Sequence, residues 1–302
     1  MSPATVRALI YVALAVVGVA YCVGWVRSLL RSGGIPRPSW LESAIGFVTN
    51  FFDTLGIGSF APTTSLYKLK NVVADERIPG TMHVGHTPPV FIQAFIFIAL
   101  IEVGTATLVA MIAAAVLGAW LGAGVVASWP RRRIQIGMGV ALLIAAVSFL
   151  FSIFELLPLG GAATGLDPVR LLIASAAMFV FGALMTLGIG IYAPCMITIA
   201  FLGMNPGVAF PIMMGASAFL MPVAATRFIQ ADRYDKPAAV GLTLGGLPAV
   251  LIAAFIVKSL PLNLLRWLVV IVVLYAAQAM LRSAARESRG AARATPDPAP
   301  TV

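Results

Sequence analysis

Apolar residues in this chain come in runs about as long as a bilayer is thick, with the charges gathered between them. The runs are Ala8–Val26, Met82–Ile101, Gly104–Ala127, Ile134–Phe154, Gly207–Phe228, Ala238–Val257 and Leu264–Leu281. A helix crosses the hydrocarbon core with about 20 apolar residues, so each run predicts a transmembrane helix. Two further regions are apolar but interrupted. Leu41–Leu66 carries Asn50, Asp53 and the sequence Gly56-Ile57-Gly58-Ser59-Phe60-Ala61-Pro62. Val169–Leu202 is too long for one crossing and carries Gly188-Ile189-Gly190-Ile191-Tyr192-Ala193-Pro194. Glycine and proline at those points predict breaks in both helices.

The two interrupted regions repeat one another. Thr54-Leu55-Gly56-Ile57-Gly58 recurs as Thr186-Leu187-Gly188-Ile189-Gly190, and Ala61-Pro62 as Ala193-Pro194, both at an offset of 132 residues. The same offset pairs Pro79 with Pro211 and Met82 with Met214. Fortuitous apolar matches are a poor explanation for identities held at one spacing, so we read an internal duplication.

Composition agrees with the pattern. Of 302 residues 60% are hydrophobic and 10% charged, against about 25% charged in ordinary soluble domains. The net charge of +9 does not point to nucleic acid, because the basic residues sit in short runs beside apolar stretches. These are Arg27, Arg31 and Arg37, then Arg131–Arg133, then Arg282, Arg286, Arg289 and Arg293. Such runs mark cytoplasmic flanks of membrane helices. Cys22 and Cys195 lie apart within apolar runs and form no C-x-x-C pair, so they read as packing residues.

The charges also predict a topology. If each interrupted region is a re-entrant hairpin, then Lys68, Lys70, Arg77, Arg131–Arg133, Arg227, Arg233, Lys236 and the basic C-terminus share the cytoplasmic side with Arg27–Arg37. Lys258 and Arg266 fall opposite. If the regions were single crossings, Arg131–Arg133 would lie outside, against the positive-inside rule. The expected fold is therefore an all-α polytopic membrane protein of two inverted repeats. Each repeat is a broken, re-entrant hairpin plus three transmembrane helices, behind an extra N-terminal helix. The expected segments are 1–40 (first helix and basic loop), 41–155 (first repeat), 156–282 (second repeat) and 283–302, a disordered basic, proline-rich cytoplasmic tail. The cell membrane expected is a bacterial inner membrane.

Broken helices in inverted repeats place a substrate site near the bilayer midplane, where freed backbone groups and half-helix N-termini face one another. The chain has no Arg or Lys in the middle of a span that would clamp an anion. Backbone donors and hydroxyls would hold it instead. The candidate residues are Thr54, Gly56, Gly58, Ser59, Pro62 and Thr63 in the first copy, and Thr186, Gly188, Gly190 and Pro194 in the second. Against this stands close helix packing, which small residues also serve. Asp53 is an intramembrane carboxylate, hence a candidate for proton coupling, with bonding to freed backbone as its rival. His83 and His86 are the only histidines. They are candidate substrate or proton contacts, but without a third ligand they make a weak metal site. Pro88 and Pro89 argue against a regular helix just after them.

The glycine-rich break followed by proline, present in each half, resembles the TauE/SafE family of sulfite and organosulfonate exporters. So does the end of each half: a small-residue helix, a proline-containing turn and a last apolar helix, at Gly118–Pro130–Ile134 and at Pro248–Pro261–Leu264. The resemblance covers roughly Leu41 to Leu281. The usual glycine triplet of the family is replaced here by Gly56-Ile57-Gly58-Ser59 and Gly188-Ile189-Gly190-Ile191. Membership implies a secondary transporter for a small anion such as sulfite, an organosulfonate or a related carboxylate. The resulting expectation is a permease with lipid and a small anion as partners, no cofactor and no enzymatic activity, with homo-oligomerisation left open. A metal-cation permease, or a membrane enzyme using Asp53, His83 and His86, is the alternative. No phosphate-binding G-x-x-x-x-G-K-[ST] sequence is present, so ATP hydrolysis is not expected.

Overall fold

In a computed structural model, residues 2–74, 76–126, 131–154, 160–185, 190–259 and 261–294 are described. They form helices α1 (Pro3–Arg31), α2 (Trp40–Thr54), α3 (Phe60–Lys70), α4 (Ile78–Leu100), α5 (Thr105–Val126), α6 (Arg131–Ile153), α7 (Pro168–Met185), α8 (Tyr192–Phe201), α9 (Ala209–Gln230), α10 (Lys236–Ser259) and α11 (Leu262–Ala294). There is no strand among the described residues.

Among the described residues, five helices are long and apolar enough to cross a membrane: Ala4–Arg31, Ile78–Leu100, Pro168–Met185, Pro206–Gln230 and Lys236–Ile256. Four answer to predicted spans. The fifth, α7, was expected only as one arm of an interrupted region; it reaches 18 residues. Helices α5 and α6 are 22 and 23 residues long and fall on the predicted spans Gly104–Ala127 and Ile134–Phe154. The helices turn apolar residues outward, with Val12, Val16 and Val19 of α1, Leu172 and Val180 of α7, and Phe255 of α10 all exposed. They bury Thr49, Asn50, Asp53, His86 and Gln93. Water would reject that arrangement, whereas a hydrocarbon surround favours it.

The helices pack through small residues. A methyl added to Gly118 of α5 would overlap the carbonyl of Phe179 on α7, and one at Gly182 of α7 would overlap that of Ala115. On α10, Gly241, Gly245 and Gly246 seat against Glu42, Ser43 and Asn50 of α2 in rising order, so those two helices run parallel. In contrast, α4 and α9 are antiparallel. Gly80 meets Phe228 and Arg233, while Phe97 stacks on Phe210 with ring centroids 5.1 Å apart. Helices α6 and α11 are also antiparallel, with Gly139 against Leu281 and Gln135 Nε2 donating to Ser283 Oγ at 3.1 Å. Without a hydrophobic force between helices in lipid, close backbone approach of this kind supplies the packing energy.

One expectation is corrected. Helix α4 runs unbroken through Pro88 and Pro89. A proline leaves the carbonyl four residues earlier without its donor, here those of Val84 and Gly85. Side chains from other helices replace the missing donors. Tyr21 Oη donates to Val84 O at 2.9 Å and Thr243 Oγ1 to Gly85 O at 2.7 Å. The last helix reaches into the segment expected as a tail from 283. Helix α11 continues to Ala294, because its Ala, Arg and Glu residues are strong helix formers whatever their polarity. Residues 295–302 lie outside the described residues.

The first interrupted region folds as two arms. A capping box starts α2: Glu42 N donates to Ser39 Oγ at 3.2 Å and Ser39 N donates to Glu42 Oε2 at 2.5 Å. The chain reverses after Leu55, with Gly56 and Gly58 at φ of 92° and 87°, values that only glycine adopts readily. The returning arm α3 brings Tyr67 and the following Val73 into one cluster with Ile45 and Ile78, at the starting ends of α2 and α4. The arms therefore lie side by side.

Candidate functional site

Asp53 sits in the last turn of α2, next to the first break, and is 2% exposed. On α4, Gln93 Nε2 donates to Asp53 Oδ2 and to Thr54 Oγ1, both at 2.9 Å. Thr54 Oγ1 in turn donates to Asn50 O at 2.7 Å. Ser59, which precedes α3, meets the same carboxylate through its hydroxyl and its backbone amide. The carboxylate is thus held by neutral donors.

One turn earlier on α2, Asn50 joins two further helices, and through His86 a third. Its Nδ2 donates to Gly46 O at 2.8 Å and to Leu242 O of α10 at 3.3 Å. With both amide hydrogens so directed, Asn50 Oδ1 is the acceptor, and His86 Nδ1 on α4 is the donor at 3.1 Å. His86 Nε2 faces Thr63 Oγ1 of α3 at 3.0 Å. Asn50 and His86 therefore bind the hairpin to α4 and α10.

The second break comes to the first. Tyr192, the first residue of α8, places its Oη 3.5 Å from Asp53 Oδ2, as a donor. Met196 of α8 closes over Gly56, where an added methyl would meet its Cε. Ser217 of α9 turns its hydroxyl toward that of Tyr192 but meets no partner at hydrogen-bonding geometry among the described residues. Gln93 Oε1 is likewise buried and unpartnered.

The predicted residues fall into groups. Asp53, Thr54, Gly56 and Ser59 line this meeting point, and Thr63 bonds His86. Pro62 and Pro194 occupy the same place in their helices, the third position of α3 and of α8. There the missing N–H costs no intrahelical bond. Gly58 and Gly190 border open space, with nothing within 4 Å of an added methyl. Thr186 and Gly188 lie outside the described residues. His83 stands apart from the carboxylate, its ring edge-on to Phe60 at 4.9 Å and stacked on Phe228 at 5.7 Å. No group of three His, Cys, Asp or Glu side chains suited to a metal occurs among the described residues. Both ring nitrogens of His86 are engaged.

Sequence reasoning missed Gln93, Tyr192 and Ser217, and took Asn50 only as an interruption. A lone glutamine in an apolar run was the available signal, since polar residues in a span are costly and tend to be functional. Tyr192 was marked only by its place after the break. Comparison with protein-family models, with curated proteins and with solved structures finds no match to the chain.

Proposed function

We propose that the protein is a secondary permease for a small anion of the sulfite, organosulfonate or related carboxylate kind, working in a bacterial inner membrane with its C-terminus cytoplasmic. The observation that carries this reading is the meeting of the two helix breaks at Asp53 and Tyr192, amid apolar helices. Neither α3 nor α8 receives a side-chain cap. Their starting amides and positive dipole ends are therefore available to an anion.

The proposal includes an inverted duplication. In its support, α3 and α8 start at Phe60 and Tyr192, at the offset seen in the repeated sequence, and the four other helix pairs fall near that offset. The packing is exchanged accordingly, α2 on α10 and α7 on α5. The antiparallel course of α4 and α9, which correspond in this scheme, is what inverted halves require. The resemblance to TauE/SafE exporters supplies the substrate class. In this account the Gly58 and Gly190 segments border the path, and Asp53 couples anion movement to a second ion. His83 and His86 brace the first hairpin near the path.

Reconstitution in proteoliposomes tests the reading. Labelled sulfite, a short sulfonate and a carboxylate should exchange across the membrane at rates well above empty vesicles, with nickel and cobalt not moved. Movement of the metal ions without any anion would replace this reading with a cation permease.

A further inference from the structure

Asp53 is the only carboxylate among the described buried residues, and the groups that face it are neutral. An unneutralised carboxylate within the hydrocarbon region costs several kcal/mol or more and would repel the anion assigned to the same region. Something must balance that charge.

Two neighbouring oxygens meet no partner at hydrogen-bonding geometry among the described residues. The orientation of the Gln93 amide is fixed, because Nε2 serves two acceptors, Asp53 Oδ2 and Thr54 Oγ1. Its Oε1 is then an acceptor with no donor among the described residues, although Gln93 is fully buried. Being on the same amide, it lies within roughly 5 Å of the carboxylate. Ser217 Oγ is the second: it is fully buried, turns toward the Tyr192 hydroxyl, and meets no partner at hydrogen-bonding geometry among the described residues. It is separated from the carboxylate by the Tyr192 hydroxyl. Buried polar atoms without partners are rare and call for an explanation.

We propose that Asp53, Gln93 Oε1 and Ser217 Oγ, with the Ser59 hydroxyl, form a binding site for a sodium ion. A hard cation takes oxygen ligands of this mixed carboxylate, amide and hydroxyl kind. One positive charge cancels one carboxylate, whereas a divalent ion would leave a net charge in the membrane. A proton on Asp53 also balances the charge, but it supplies one donor and leaves at least one of the two oxygens unsatisfied. The ligands come from α2, α4, α9 and the loop before α3. Binding therefore joins both break regions and neutralises the place where an anion would sit. This deepens the permease reading by naming its coupling ion.

Equilibrium binding of radioactive sodium to the purified full-length protein in detergent, with no transportable anion present, tests the site. Thermal unfolding in sodium, potassium or choline chloride accompanies it. The expected result is saturable binding of one sodium ion per chain, little competition from equal potassium, and a higher Tm in sodium than in choline. Asp53→Asn should abolish binding. Ser217→Ala deletes an oxygen that makes no hydrogen bond at full geometry among the described residues, so it should fold normally while weakening binding at least fivefold. It decides the matter if Asp53→Asn does not fold. Absence of sodium binding, or equal binding by wild type and Ser217→Ala, overturns the proposal. So does a Tm that responds to lowered pH but not to sodium, which would assign the site to a proton. Because no anion is present, the two readings fail separately. Sodium binding without anion flux refutes only the permease, and anion flux without sodium binding refutes only this site.

Discussion

The Tyr192 hydroxyl lies 3.5 Å from the Asp53 carboxylate, joining residues that sequence separates by 139 positions. Each residue flanks a helix break, so the contact is where the two interrupted regions touch. Tyr192→Phe removes the donor while keeping the ring that fills the space. The expected cost is about 1 kcal/mol of stability, small enough to leave the fold intact, with a larger proportional loss of anion flux. Unfolding curves and flux measured on the same preparation check this.

The bridge from Asn50 to His86 and Thr63 predicts a different balance. Asn50→Leu would strand the buried Nδ1 of His86 and remove the donor to Leu242 O. Leaving such groups unpaired costs about 1–3 kcal/mol each, so the variant should show a clear drop in Tm. Because both nitrogens of His86 are occupied, nickel or zinc should not raise the Tm of the wild type. A metal-induced rise that disappears in His83→Ala would contradict this account of the histidines.

Glycines divide sharply by surroundings. A side chain at Gly118, Gly182 or Gly246 would collide with backbone or packed atoms of the neighbouring helix, whereas one at Gly24 meets nothing within 4 Å. Overpacking of a tight crossing costs about 1–3 kcal/mol or more. Gly118→Val and Gly182→Val should therefore reduce the folded yield and Tm, and Gly24→Val should leave both unchanged. Size-exclusion profiles in detergent, read with Tm, separate the two groups.

The turn of the first break depends on glycine backbone. Gly58 has a φ of 87°, where a Cβ costs roughly 1–2 kcal/mol. Gly58→Ala should lower stability by that amount, read as a fall in Tm. Gly190 borders open space as Gly58 does. Loss of flux in Gly190→Ala at unchanged Tm would place its open space on the anion path.

Apolar length and the Gly/Pro breaks were legible in the sequence because both are local. A run such as Ala8–Val26 needs only its own residues to become a helix in lipid, and Gly56 and Gly58 need only their own backbone freedom to turn the chain. The site was less legible, since its members are chosen by contacts between helices. Nothing near Gln93 in sequence announces Asp53, and nothing near Tyr192 announces the first break. The same holds for Pro88 and Pro89. The local rule predicts disruption, but Tyr21 and Thr243, remote in sequence, supply the donors that the prolines lack.

Accessibility labelling tests most directly the claim that the interrupted regions are hairpins in oppositely oriented halves. Single cysteines at Arg37, Lys70, Arg132 and Thr164, in a background without Cys22 and Cys195, would be treated with an impermeant thiol reagent from each side of sealed vesicles. The account predicts that positions 37, 70 and 132 react from one face and position 164 only from the other. Labelling of 37 and 70 from opposite faces, or of 132 and 164 from the same face, would contradict it.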